Sequence, residues 1–163
     1  MLGLMKTQSG LQMAHNLNKF LQDATAKQYA TESGTKMHAL LQNVVVDDIN
    51  GNRGDADLVS VISGRPELKP FFGTNAKTEV PIAGIIRGVF VSRRIDRLLI
   101  NSNDKTITFM DYKTDINQTE FRDKYIKQLS EYAELLRSAY KNYKVNGFIL
   151  WTHDWRLEKV IFA

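Results

Sequence analysis

Two carboxylates and an ammonium come within reach of one another in a short stretch of this chain. "RRIDRLLI" carries Asp96, "TITFMDYK" carries Asp111 and Lys113, and "NSNDK" joins them as a turn rich in Asn, Ser and Asp. Both flanking segments have the make-up of strands. A tight turn that pairs Asn101 with Asp104 sets Asp96 opposite Phe109 and Arg94 opposite Asp111. Cross-strand partners share a face, and so do residues two apart. Asp96, Asp111 and Lys113 then share one face, with the two carboxylates as diagonal neighbours. Leu98, Ile100, Ile107 and Phe109 complete that face as an unbroken apolar patch. A register shifted by one separates the carboxylates and mixes Leu98 and Ile100 with Thr106, Thr108 and Met110, so the first register is preferred.

Two carboxylates at the rim of an apolar face repel each other, and desolvation opposes their charge. A divalent cation offsets both costs, and oxygen ligands at this density suit Mg²⁺ or Mn²⁺. The alternative is plainer: Asp111 and Lys113 form a surface salt bridge, and Asp96 pairs with Arg94 or Arg97. Arg87, Arg93, Arg94 and Arg97 either meet phosphates or form a solvated edge that deters strand-to-strand aggregation.

The elements that must hold these groups can be read along the chain. "SGLQMAHNLNKFLQDATAKQYA" has apolar residues at helical spacing, with His15 off the stripe. Ser33 is placed to cap a second helix, "GTKMHALLQNVV", with Met37, Leu40, Leu41, Val44 and Val45 inward. "INGNRGD" is turn chemistry, and "ADLVSVISGRPELKPFFG" reads as two short helices split by Gly64 to Pro66. From Thr78 the period changes to strands, "TEVPIAG", "GVFVSRRIDRLLI" and "TITFMDYK". A long helix follows over "NQTEFRDKYIKQLSEYAELLRSAYKN", with Asn117 and Glu120 spaced as a capping box. Phe121, Tyr125, Leu129, Tyr132, Leu135, Leu136 and Ala139 form its buried side. "VNGFILW" and "WRLEKVIF" end the chain as two strands around "THD", where His153 has no assigned role. The order predicts an α/β or α+β fold, a central mixed sheet flanked by helices.

Composition narrows the function. The 163 residues fit one domain, expected over 1–163 with an N-terminal helical segment at about 1–47. There is no cysteine, which excludes disulfides, Cys-ligated zinc and an iron–sulfur cluster. No secretory signal or membrane-spanning run is present, so the protein is read as cytoplasmic with no membrane partner. A net charge of +4 tilts mildly toward polyanions. No phosphate-binding G-x-x-x-x-G-K-[ST] loop occurs.

"RIDRLL", then "FMDYKTD", then "QLSEY" on a helix resembles the RecB-type nuclease branch of the PD-(D/E)xK superfamily, closest to its AddA-type nuclease domains. The likeness runs from about Gly34 to the C-terminus. It implies a restriction-endonuclease-like core and Mg²⁺-dependent hydrolysis of DNA, such as exonuclease action in double-strand-break repair. It implies that Asp96 and Asp111 bind metal, with His38 as a third ligand and Tyr112 lending its backbone carbonyl. Lys113 is then the catalytic lysine and Glu79 an acidic support. Gln128 and Tyr132 contact DNA or brace the lysine, and Arg94 and Arg97 meet its phosphates. DNA is the implied partner, with a helicase domain or subunit of an AddAB-type complex beside it. One departure is Arg93, which stands where the family usually has glycine. The alternative function is a nuclease-like module that binds DNA or a repair partner without cutting.

Overall fold

Three hairpins and one crossover build the sheet. The computed structural model describes Lys19 and residues 32–162. The chain divides into two compact units, Met1–Thr35 and Lys36–Ala163, and the second carries everything below. The helix read over Leu11 to Ala24, with His15, lies outside the described residues apart from Lys19. β1 (Lys77–Ile86) and β2 (Val89–Asn101) are antiparallel, joined by Arg87 and Gly88. Both joining residues have positive φ, 49° and 79°. That is the mirror-image turn whose twist suits a two-residue hairpin.

The hairpin from β2 to β3 (Thr106–Lys113) differs from the sequence reading in register. Asn101 pairs with Thr106, not with Asp104, and Leu98 pairs with Phe109. The cause is the Asn101 side chain, whose Oδ1 accepts from the amides of Asn103 and Asp104 and so closes a wider turn. The slip is two residues, so Leu98 and Ile100 still share a face with Ile107 and Phe109. The paired stretch ends at Arg97–Met110, one step short of the two aspartates.

β3 runs parallel to β4 (Lys144–Trp151), and such a pair requires a crossover. The crossover is α4 (Gln118–Ala139). Asn117 caps it through its Oδ1 to the Glu120 amide, and its own amide nitrogen meets the Glu120 carboxylate. That is half of the reciprocal box expected. α4 lays Leu129, Tyr132, Ala133 and Leu136 on Leu98, Ile107, Phe109 and Ile149 of the sheet. β5 (Arg156–Val160) completes the order β1-β2-β3-β4-β5, a mixed α/β sheet flanked by helices, as the element order predicts.

The other face of the sheet is covered by α1, which is helical over residues 36–41 of this unit, with α2 (Ala56–Ser63) and α3 (Lys69–Phe72). Leu41, Val44, Leu58, Ile62, Phe71 and Phe72 pack there on Met110, Tyr112 and Leu150. Three details of the second predicted helix differ. Ser33 lies within helical residues and is not their cap, and Leu40 is 37% exposed. Val44 and Val45 lie beyond the helix, where Val45 bridges to Arg53. Among the described residues no helix is long and apolar enough to cross a membrane.

Candidate functional site

The pleat of β2 slips at Asp96. Side chains on a strand alternate between faces, yet Ile95 and Leu98, three apart, both join the core under α4. Val80, paired with Ile95, packs on the same core. The slip falls at Glu79 and Asp96, where Glu79 has a φ of 52°. A non-glycine residue in that region is strained, and such strain gathers at functional sites. The carboxylate of Asp96 is left between the two layers and is almost fully buried.

Asp96 is held by backbone and by α1. Its Oδ2 accepts from the Tyr112 amide at 2.7 Å, and His38 Nδ1 stands 3.5 Å from its Oδ1. His38 Nε2 lies 3.1 Å from the Tyr112 carbonyl oxygen. Both imidazole nitrogens therefore face oxygens, an arrangement that favours the doubly protonated ring. Burial works against that charge, but the hydrogen bond to Asp96 and its negative charge outweigh it, and the His38 pKa is raised.

Asp111 closes a second circuit with α4. Lys113 Nζ stands 2.6 Å from Asp111 Oδ2 and donates to Gln128 Oε1 at 3.1 Å. The Gln128 amide donates to the Tyr132 hydroxyl, which donates in turn to Asp111 Oδ1 at 3.3 Å. Gln128 and Tyr132 are one helical turn apart, the spacing that lets both reach the same strand. Burial pushes the Asp111 pKa up even with Lys113 beside it, and the Asp96 charge adds to the rise. Asp111 Oδ2 is buried, and its contact there is the Lys113 ammonium at 2.6 Å, at an angle poor for a hydrogen bond. The Lys113 carbonyl accepts from the Thr152 amide at 2.9 Å, which anchors the strand end to the turn after β4.

The structure thus gathers His38, Asp96, Asp111, Tyr112, Lys113, Gln128 and Tyr132 where the C-terminal end of β3 lies beside the middle of β2. Glu79 stands across from Asp96 in the ladder and pairs with Arg94 Nη1 at 3.4 Å. Arg94 is exposed, consistent with an outward contact. Arg93 is tied to Glu131 at 2.7 Å. Arg97 is the exception. It is 1% exposed, so it cannot meet a phosphate. Its guanidinium donates to the Tyr112 hydroxyl at 2.7 Å and to the carbonyls of Leu41 and Val44 at 2.6 and 2.8 Å. It also lies over the Phe72 ring at 4.3 Å. The expectation of a phosphate-binding arginine is corrected here to a buried brace.

Sequence reasoning passed over two residues that touch this group. Tyr125 places its ring 4.1 Å from Lys113 Nζ, and its hydroxyl donates to Asp115 Oδ2. The available signal was spacing: Asp115 follows Lys113 by two, and Tyr125 precedes Gln128 by about a turn.

As a cation site the donor set is mixed. A buried carboxylate oxygen without a well-formed hydrogen bond, a second carboxylate, an imidazole and a carbonyl suit Mg²⁺ or Mn²⁺. Among the described residues, however, no three His, Cys, Asp or Glu side chains are gathered closely enough to hold an ion as they stand. Each aspartate lies instead against a basic side chain of the chain itself, Asp96 against His38 and Asp111 against Lys113.

No family model matches the chain, and no curated protein sequence matches it. A solved structure described as the crystal structure of SSO0001 aligns with a TM-score of 0.45 at 15% identity, over 93% of this chain. The chain spans 62% of that protein's length.

Proposed function

We propose that the chain is a divalent-metal-dependent deoxyribonuclease of the RecB type, with a restriction-endonuclease-like core. The observation that carries this reading is the convergence of Asp96, Asp111 and Lys113 where the end of β3 meets the middle of β2. His38 from one helical layer and Gln128 from the other close on them there. Asp96, Asp111, His38 and the Tyr112 carbonyl would hold Mg²⁺ or Mn²⁺. Such an ion supplies Lewis-acid polarisation of a phosphate and acidifies a bound water. To join it, His38 must give up a proton and turn one nitrogen from its present oxygen, and Lys113 must leave Asp111 Oδ2. Lys113 then orients or deprotonates the attacking water and stabilises charge on the phosphorane-like transition state. Gln128 contacts the ammonium, and Tyr132, itself bonded to Asp111, accepts from the Gln128 amide. A role in double-strand-break repair, exonuclease action and a helicase partner of AddAB type belong to the same proposal.

A second reading has one observation in its favour. Each aspartate is already paired within the chain, which also describes a nuclease-like module that binds DNA or a repair partner without cutting. The deciding experiment is incubation with end-labelled single- and double-stranded linear DNA, in Mg²⁺, Ca²⁺ or chelator. Cleavage in Mg²⁺ alone supports the enzyme. Retained DNA binding without cleavage supports the second reading.

Binding of DNA should weaken steeply with salt, because neutralised phosphates release counterions. The exposed Arg87 and Arg94 and the net charge of +4 motivate this expectation. Salt-insensitive binding, or a sharp base preference in a footprint, would count against contact with the DNA backbone.

Metal should also act on stability. The raised Asp111 pKa means that its charge is disfavoured in the folded chain. A carboxyl raised in this way favours folding below its unfolded pKa and loses that contribution as pH rises through the folded pKa. At neutral pH the charge therefore costs stability, and Asp111→Asn removes the cost while leaving Lys113 without its anion. With chelator, the variant should be as stable as the wild type or more so, by about 1 kcal/mol at most. With Mn²⁺ at a hundred times its Kd, the wild type should gain about 2.7 kcal/mol and the variant little. Melting curves in both conditions measure this. A chelated Asp111→Asn protein that melts far below wild type would make Asp111 a structural salt-bridge partner.

A further inference from the structure

Lys113 has three seats, and only one is independent of Asp111. The first is Asp111 itself, 2.6 Å from the ammonium. The second is Gln128 Oε1 at 3.1 Å, but Gln128 is held by Tyr132, and Tyr132 is held by Asp111. The third is the face of Tyr125, 4.1 Å from Nζ to the ring centroid. Tyr125 is anchored elsewhere. Its hydroxyl donates to Asp115, and its ring packs against Trp151 and Phe121. Burial, and then Asp115, push the phenol pKa up, so the hydroxyl remains a donor and the ring stays in place.

Any ligand that draws Asp111 away removes the first seat and loosens the second. We infer that Tyr125 is a positioning residue that holds the Lys113 ammonium when Asp111 is engaged elsewhere, and that Asp115 holds Tyr125 in turn. The negative face of an aromatic ring suits this task. It attracts a cation without offering a proton acceptor or a formal charge, so it does not compete with the carboxylates for a divalent ion. It also leaves N–H groups on the far side of the ammonium free to point at water and phosphate. The kinetic part of this inference rests on the nuclease reading, whereas the positional part does not.

The test therefore has two arms. The first is the ¹H shift of the Lys113 ε-methylene, assigned by NMR in the whole chain. A methylene beside a ring face is shifted upfield by the ring current. The upfield shift is expected in wild type and in Asp111→Asn, to survive in Tyr125→Phe, and to vanish in Tyr125→Leu. Its disappearance in Asp111→Asn would mean that the ring does not hold the lysine alone, and the inference falls. The second arm is steady-state cleavage of linear DNA in Mg²⁺. Tyr125→Leu should lower kcat about tenfold with little change in KM, the scale of one desolvated cation–π contact acting at the transition state. Tyr125→Phe should recover most of that loss, because it keeps the ring. Wild-type kcat in Tyr125→Leu, or an equal defect in both variants, overturns the inference. A wild-type chain that never cleaves DNA refutes the nuclease reading, and the NMR arm still decides where Lys113 is held.

Discussion

Lys113→Met should bind metal and DNA and cut about a hundred- to ten-thousandfold more slowly than wild type, the range for a positioned acid–base or charge-stabilising group. The expectation comes from the geometry of the ion pair. Lys113 Nζ stands 2.6 Å from Asp111 Oδ2, and its side chain is 12% exposed, so the ammonium is directed into the site and not into solvent. Methionine keeps the length of the stem and removes the charge. Lys113→Arg should not restore cutting. The planar guanidinium cannot take the place of a compact ammonium between Asp111, Gln128 and the Tyr125 ring, and it does not release a proton near neutral pH. Asp96→Ala and Asp111→Ala should abolish cutting by a different route, through loss of Mn²⁺ binding in titration calorimetry. The contrast between the lysine and the aspartates is the informative part. If Lys113→Met cuts at the wild-type rate, Asp111 and Lys113 form only a structural salt bridge and the enzymatic reading is lost. If all three variants lose metal together, Lys113 supports the site and does not take part in the chemistry.

The arrangement just described was partly legible in the sequence, and the reasons differ from residue to residue. Parity, which the apolar residues Leu98, Ile107 and Phe109 enforce, put Asp96 on the face of Asp111 and Lys113; the pleat slips at Asp96, and its carboxylate meets the Tyr112 amide and His38 instead. Register was harder, because Asn101 closes its turn with a side chain, and a turn two residues wider preserves the same apolar pattern. Gln128 stood out as a polar group on a buried helix stripe. Tyr125 did not, since an aromatic on the same stripe reads as core, and its contact with Lys113 depends on where α4 sits over β3. The slip at Glu79 and Asp96 has no sequence signal, because the φ of 52° is imposed by pairing and packing and not by residue type. Arg97 is the instructive failure. Among the four arginines of the β1–β2 hairpin, charge alone placed it with the solvated or phosphate-binding ones, and only the tertiary structure separates it from Arg94.

Arg97→Leu should therefore destabilise the protein by on the order of 2–5 kcal/mol, since a buried acceptor left unpaired costs about 1–3 kcal/mol and two are stranded together. Those acceptors are the carbonyl of Val44 and the hydroxyl of Tyr112. The Leu41 carbonyl keeps the Val44 amide at 3.0 Å but loses its Arg97 contact in the last turn of α1, where a cation is favoured. The same helix carries His38 one turn earlier, and His38 meets Asp96, the residue before Arg97. Two adjacent side chains of β2 thus fix one helix in place, Asp96 by its histidine and Arg97 by its end. Loss of Arg97 should consequently weaken Mn²⁺ binding without removing any ligand, because α1 is no longer held at its C-terminal end. Arg97→Lys should recover only part of the stability, as one ammonium cannot reproduce the forked donation or lie flat on Phe72. Arg94→Ala is the control. Its partner Glu79 is reached only at 3.4 Å from an exposed guanidinium, so stability should change by less than about 0.5 kcal/mol while DNA binding weakens. Denaturant unfolding, manganese titration and DNA binding of the three variants separate the two roles. Should Arg97→Leu unfold like wild type and lose DNA affinity as Arg94→Ala does, Arg97 faces the phosphates after all, and α1 must be held over Asp96 by the apolar contacts of Leu41 and Val44 alone.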